Sequence, residues 1–205
     1  MESLYSRRPN LILGFHGCDQ SVADNILIKG EELRVSNNDY DWLGNGIYFW
    51  ENNEERALMW AEEQQKRKKS VIGKPAVIGA VLDLGYCLDL TDNKYLKDLK
   101  DAYNTLESSL KKLGKELPTN DNIGNNSDLL IRKLDCAVIQ TAHQISKQAV
   151  GSSYDSVRGV FWEGKPLYKG AGFKEKNHIQ ICVCNPNCIK GYFRPRKMNV
   201  GFRNP

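Results

Sequence analysis

Two short glycine-bearing segments constrain this chain more than anything else in it. They are Phe15-His16-Gly17 and, about thirty residues on, Gly44-Asn45-Gly46-Ile47-Tyr48-Phe49. Gly17, beside an imidazole, lets backbone approach a ligand closely, and the Gly-x-Gly turn sets a tyrosine at the start of a strand. Alone, each piece reads equally well as a core histidine or an ordinary strand aromatic. In this order they can grip an amide-bearing aromatic ring and its ribose, which is the chemistry of a dinucleotide site.

The elements between and after them follow from caps and periodicity. Ser21 is the expected N-cap of a short helix through Ile28, closed by Gly30, with Val22, Ile26 and Leu27 as its apolar stripe. Asn52 or Asn53 opens a second helix running to about Lys69, with Glu54 and Glu55 in its first turn and Lys66, Arg67, Lys68 and Lys69 in its last, matching the helix dipole. Leu58, Trp60 and Ala61 are expected on its core face. Residues 76–82 read as a buried strand, 92–113 as a charged amphipathic helix ended by Gly114, 118–127 as a polar loop and 128–149 as another helix. Strands are expected at 156–162, 178–184 and 188–193, with a loop from Glu163 to Asn177.

With 205 residues, 40 % of them hydrophobic, the chain supports one domain, 1–205, with the helices at about 92–149 as an insertion beside a sheet. No apolar run approaches the ~20 residues that span a bilayer, and residues 1–8 lack a signal-peptide core, so a cytoplasmic protein without membrane contact is expected. In that setting the six cysteines read as reduced thiols. Cys182, Cys184 and Cys188 do not have the spacing of a zinc knuckle, so no metal is expected, and Cys18 is assigned to packing. The formal charge of +4 is modest. Its basic runs suit a polyanion as well as they suit solvated faces.

Phe15-His16-Gly17, Gly44-x-Gly46-Ile47-Tyr48-Phe49 and the segment His178-Ile179-Gln180-Ile181-Cys182-Val183-Cys184-Asn185-Pro186 resemble, in order, the three active-site motifs of ADP-ribosyltransferases of the diphtheria-toxin and poly(ADP-ribose) polymerase type. The resemblance implies an α+β fold with a split two-sheet core, helices around it and NAD, as substrate, in the cleft. It implies that His16 bonds the adenosine ribose, that Gly17 pairs through its backbone with the nicotinamide carboxamide, that Gly46 belongs to the cofactor-binding turn and that Tyr48 stacks on the nicotinamide. Tyr40 or Trp42 would form the ring's other wall.

The third motif departs from the pattern. Aligning Asn185-Pro186 with the family's Asp-Pro places Gln180 where the chain-elongating members carry glutamate. A glutamine can hold the nicotinamide ribose but cannot take a proton at neutral pH, which argues for a single transfer rather than polymer synthesis. The general base is then open among His178, Glu163 and Glu175, with Glu175 preferred because a loop carboxylate can reach an acceptor. The acceptor is expected at the loop after Arg158 and Trp162, where Lys165, Lys169, Lys174 and Lys176 interleave with Tyr168 and Phe173, a composition that binds single-stranded nucleic acid. The expected function is therefore mono-ADP-ribosyl transfer from NAD to a macromolecule, RNA or DNA before protein, by a toxin or phage-defence effector with an antitoxin as partner. The alternative is a catalytically inactive NAD-sensing or nucleic-acid-binding module.

Overall fold

The His-Gly segment lies within the eight-residue strand β1 (Ile12–Asp19) and leads directly into α1 (Gln20–Lys29). Asp19, not Ser21, caps that helix. Its Oδ1 accepts from the Ser21 amide at 2.9 Å, and its Oδ2 accepts from the Gly73 and Lys74 amides at 2.8 and 2.9 Å. A carboxylate can serve several amides at once where a hydroxyl serves one or two, and those bonds, the Lys74 amide foremost, hold Asp19 well below the usual carboxylate range. Gly30, at φ 70°, closes the helix in the left-handed conformation.

The Gly-x-Gly turn delivers Tyr48 into β2 (Ile47–Glu51), and Asn53 then caps α2 (Glu54–Gln65) by accepting from the Arg56 amide at 2.9 Å. The helix stops at Gln65, short of the basic run. Gln65 donates to the Gly73 carbonyl at 2.7 Å, so the chain turns back here and brings Gly73 and Lys74 to Asp19. On its core face Ala61 is fully buried as expected, but Ala57 is buried beside it while Leu58 is 37 % exposed. The cause is the close approach of α2 to β1, since a Cβ on Gly17 would come within 2.1 Å of the Ala57 carbonyl oxygen and only small residues fit along that contact.

The computed structural model describes residues 11–122 and 128–203. Residues 1–8, read above for a signal peptide, and the end of the polar loop at 123–127 lie outside the described residues. After α2 come β3 (Pro75–Leu82), β4 (Cys87–Asp89), α3 (Asn93–Lys112), a short pair β5 (Asn120–Asn122) and β6 (Leu129–Arg132), and α4 (Lys133–Val150). The chain ends with β7 (Ser156–Phe161), β8 (His178–Val183) and β9 (Ile189–Phe193). The helix expected from 128 begins only at Lys133, because Leu129 to Arg132 pair with β5 instead. Arg132 offers no side-chain cap to α4; Asn120 supplies it, its Oδ1 accepting from the Leu134 and Asp135 amides at 3.0 and 3.2 Å.

Seven strands form one mixed sheet in the order β4-β7-β8-β2-β1-β3-β9, with β4 parallel to β7 and the other pairs antiparallel. On one face Ile47, Phe49, Ile78, Leu82 and Ile181 pack with Ala23 and Ile26 of α1. On the other, Val157, Phe161 and Cys182 pack with Ala102 of α3 and Val138, Ile139 and Ala142 of α4, while α2 covers Phe15 and Trp50. The fold is thus α+β, a large mixed sheet flanked by helices. Among the described residues, no helix is long and apolar enough to cross a membrane.

Asn120→Ala removes the remote cap of α4 and is expected to lower unfolding free energy by about 1 kcal/mol, read as a drop in the urea midpoint with an unchanged slope.

Candidate functional site

Strands β1 and β2 pair through Gly14 opposite Glu51 and Phe15 opposite Trp50, with the Asn52 amide donating to the Leu13 carbonyl at 2.8 Å just past the end of β2; toward Tyr48 the pairing stops, while β1 continues with β3 and β2 with β8. Extending the register would set His16 opposite Phe49 and Gly17 opposite Tyr48. Instead the His16 ring closes the gap, its Nδ1 lying 2.7 Å from the Tyr48 carbonyl oxygen. A carbonyl can only accept, so Nδ1 carries the proton and Nε2 is left as an acceptor. Burial keeps the imidazole pKa below its ordinary value, and the ring is neutral at pH 7.

Two of the three motif glycines have packing causes as well. Gly17 admits α2, and a Cβ on Gly46 would lie 2.4 Å from Cys182 Sγ. Tyr48 turns its hydroxyl back on its own turn, donating to the Gly44 carbonyl at 2.6 Å and accepting from the Leu43 amide at 2.9 Å. Burial raises its pKa far above the usual tyrosine range, so it stays protonated and clasps the Gly-x-Gly turn.

Beside this seam the fold buries a group of incompletely paired polar atoms. Trp50 Nε1, Arg56 Nε and Nη1, and His178 Nε2 have no hydrogen-bond partner among the described residues, and the three residues are only 3, 4 and 6 % exposed. The Arg56 guanidinium lies 5.6 Å from the centre of the Trp50 ring, and its Nη2 donates to Glu163 Oε2 at 2.7 Å. His178 donates through Nδ1 to the Lys176 carbonyl, so its Nε2 holds a free lone pair. Phe161, at 5.7 Å, and Trp42 and Trp50, both at 6.4 Å, surround its ring. Burial first and the Arg56 charge next lower its pKa, against the Lys176 carbonyl and Glu163, which raise it. Each buried, unsatisfied polar group costs about 1–3 kcal/mol, and four such atoms are gathered here.

The other base candidates are placed differently. Glu175 is exposed on the loop, and its carboxylate accepts from the Lys165 amide at 3.3 Å. Glu163 is committed to Arg56. Gln180 sits on the His178 face of β8, opposite Trp50 and Gly159. Trp42 packs on Phe161 at 4.8 Å, under the Arg132 guanidinium at 4.4 Å, and donates its indole N–H to the Leu130 carbonyl at 3.0 Å, while Tyr40 is 45 % exposed.

The loop from 163 to 177 is pinned by ion pairs: Glu163 to Arg56, Lys176 to Glu63 at 2.7 Å, and Lys174 to Asp128. Lys174 is therefore engaged within the chain, while Lys169 is exposed, as are Trp162, Tyr168 and Phe173, each about 60 %. Arg158, grouped in the sequence with the acceptor loop, belongs to the sheet interior, because strand alternation turns it toward Glu51. Its guanidinium binds both oxygens of Glu51, reaches Asp89 at 3.2 Å and Thr91 at 3.2 Å, and is 4 % exposed. A cavity of about 900 Å3 lies between α3, α4 and β7, with Trp42, Tyr103, Phe161 and Trp162 among its walls and Lys100 and Arg132 as its basic residues. Cys18 is buried and pushed up to about 11 by that burial, which suits packing rather than reactivity. No group of three or more metal-ligating side chains occurs among the described residues.

The chain is similar to an uncharacterized protein of Methanocaldococcus jannaschii, 28 % identical over 198 residues that cover 86 % of this chain and 83 % of that protein. No protein-family model matches the chain, and no solved structure matches it.

Arg158→Ala removes the cation that Glu51 and Asp89 share inside the sheet and is expected to cost about 3–5 kcal/mol by chemical denaturation, with Arg158→Lys recovering only part of it. His16 and His178 are neutral in the fold but take up protons below about pH 6.5 once unfolded. Their lowered pKa values therefore make stability full above that pH and declining beneath it. The urea midpoint should fall between pH 7 and 5, and fall less in His178→Gln.

Proposed function

We propose that the chain is a mono-ADP-ribosyltransferase that takes NAD across the seam between β1 and β2. The observation that carries this is His16, held as its Nδ1–H form by the Tyr48 carbonyl where the strand ladder stops, with Gly17 on the facing edge. In this reading His16 Nε2 accepts from the adenosine ribose, the Gly17 backbone pairs with the carboxamide, the Tyr48 ring packs on the nicotinamide and Gln180 bonds its ribose. The unpaired Trp50 and Arg56 donors supply hydrogen bonds to the donor's oxygen atoms. Glu175 gives way to His178 as general base, because the His178 Nε2 lone pair is free and the ring is neutral at pH 7. The Glu163–Arg56 pair pins the loop over this base, so acceptor entry requires that pair to open.

A nucleic-acid acceptor is favoured over protein by two features. Exposed Trp162, Tyr168 and Phe173 beside Lys165 and Lys169 offer stacking and charge, and the aromatic cavity carrying Lys100 and Arg132 suits an extruded base next to its phosphate. The role of a cytoplasmic toxin or phage-defence effector, restrained by an antitoxin, belongs to the same proposal. Gln180 in place of a carboxylate, with the Tyr48 hydroxyl committed to its own turn, favours the second reading, an NAD-sensing module without catalysis.

Labelled NAD incubated with separate pools of RNA, DNA and protein is expected to label a nucleic acid. His178→Gln should lower that labelling at least about 100-fold with NAD affinity kept, Glu175→Gln should leave it near wild type, and Lys169→Ala should weaken it without changing NAD binding. NAD binding without transfer to any pool selects the sensing module, and absence of NAD binding by the folded protein removes both readings.

A further inference from the structure

A second chemically distinctive place lies at the end of β8, away from the His178 cluster. Cys184 is half-buried there, and its Sγ lies 3.7 Å from Nε2 of His143, which α4 projects across from the helical insertion. The pair opens on a cavity of about 430 Å3 whose walls include Asn45, Gln140, Ser152 and Asn185. These side chains are amides and a hydroxyl, and a volume of this size accommodates a small polar molecule.

The groups facing the thiol are His143 from α4, Cys182 from β8 itself, Asp155 from the segment before β7 and Cys188 from the following turn. Asp155 is already engaged, accepting from Asn185 Nδ2 at 2.7 Å and from the Tyr86 amide at 2.9 Å. The neighbouring Cys182 side chain, then the His143 imidazole, lower the Cys184 thiol to about 6, while burial and Asp155 oppose them. Burial instead raises Cys18 and Cys188 to about 11 and Cys182 well above the usual thiol range.

We propose that Cys184 is a thiolation site, at which small polar disulfides dock in this cavity and form a mixed disulfide with the chain. His143 takes the Cys184 proton and the thiolate attacks one sulfur of the disulfide. The new sulfur–sulfur bond forms as the old one breaks, the second sulfur leaves with the bonding pair, and it picks up the proton held by His143. Cys184 is oxidised, the departing half is reduced to a thiol, and no further oxidant enters. The step stands on the Cys184–His143 geometry and its cavity, independently of NAD.

Lower basicity makes a thiolate a poorer nucleophile, so near pH 7 the gain in ionisation largely cancels and the pH profile carries the signal. At pH 6 Cys184 should outpace an ordinary thiol of pKa ~8.5 about tenfold, about half ionised against under 1 %, discounted for nucleophilicity. The test is reaction of the native protein with oxidised glutathione from pH 5 to 9, with adducts located by peptide mass spectrometry. One adduct on Cys184 is expected, absent in Cys184→Ser, with a rate that levels off above about pH 7 and saturates with disulfide concentration. His143→Gln should move the midpoint of the profile upward. An adduct confined to other cysteines, a Cys184 rate still climbing through pH 8–9, a strictly linear concentration dependence, or an unchanged midpoint in His143→Gln would each overturn the proposal.

Discussion

Everything distinctive in this molecule depends on how its sheet is interrupted between β1 and β2. Two residue pairs join the halves, and then a side chain, His16, takes the carbonyl that the next backbone amide would have used. A ring in place of a ladder bond separates two strand edges without leaving the carbonyl unsatisfied, which an apolar residue at this position could not do. The same hydrogen bond fixes the imidazole tautomer and so leaves Nε2 as an acceptor. Gly17 and Gly46 allow the neighbouring elements to close on either side, α2 on one strand and β8 on the other.

Two buried arginines show how the fold separates structure from site. Arg158 is saturated by Glu51, Asp89 and Thr91 and ties β7 to β2 and β4, a geometry that stabilises only while every partner is present. Arg56 is equally buried but has one carboxylate and leaves two nitrogens unmatched, beside an indole and an imidazole in the same condition. A sheet that satisfies one guanidinium so fully does not lack the means to satisfy the other. In the proposed function the unmatched donors and the His178 lone pair face the ligand, and the ion-paired loop that carries Glu163 covers them.

The sequence made the motif pairing and most helices legible because their causes are local. The Asn53 cap, Gly30 and the amphipathic stretch of α3 sit next to what they control. Misreadings arose where a distant residue intervened. Asp19 displaced Ser21 as a cap because it also serves amides more than fifty residues away, Asn120 started α4 from outside the helix, and contact with Gly17 turned Leu58 out and Arg56 in. Arg158 looked like part of a basic loop until strand alternation aimed it at Glu51. His178 was visible as one base candidate among three, but only the Lys176 carbonyl on its other nitrogen shows which lone pair is free. The Cys184–His143 contact joins residues from separate elements and leaves no local signature at all.

The chain has three histidines, one at the seam, one beneath the loop and one in the thiol cavity, so histidine-selective nitrogen NMR reads each place separately. With NAD titrated into the protein at pH 7, His16 should be found in its Nδ1-protonated form, and the His16 and His178 signals should shift while those of His143 stay in place. A shift confined to His143, or no shift at saturating NAD, would contradict a dinucleotide site at the β1–β2 seam.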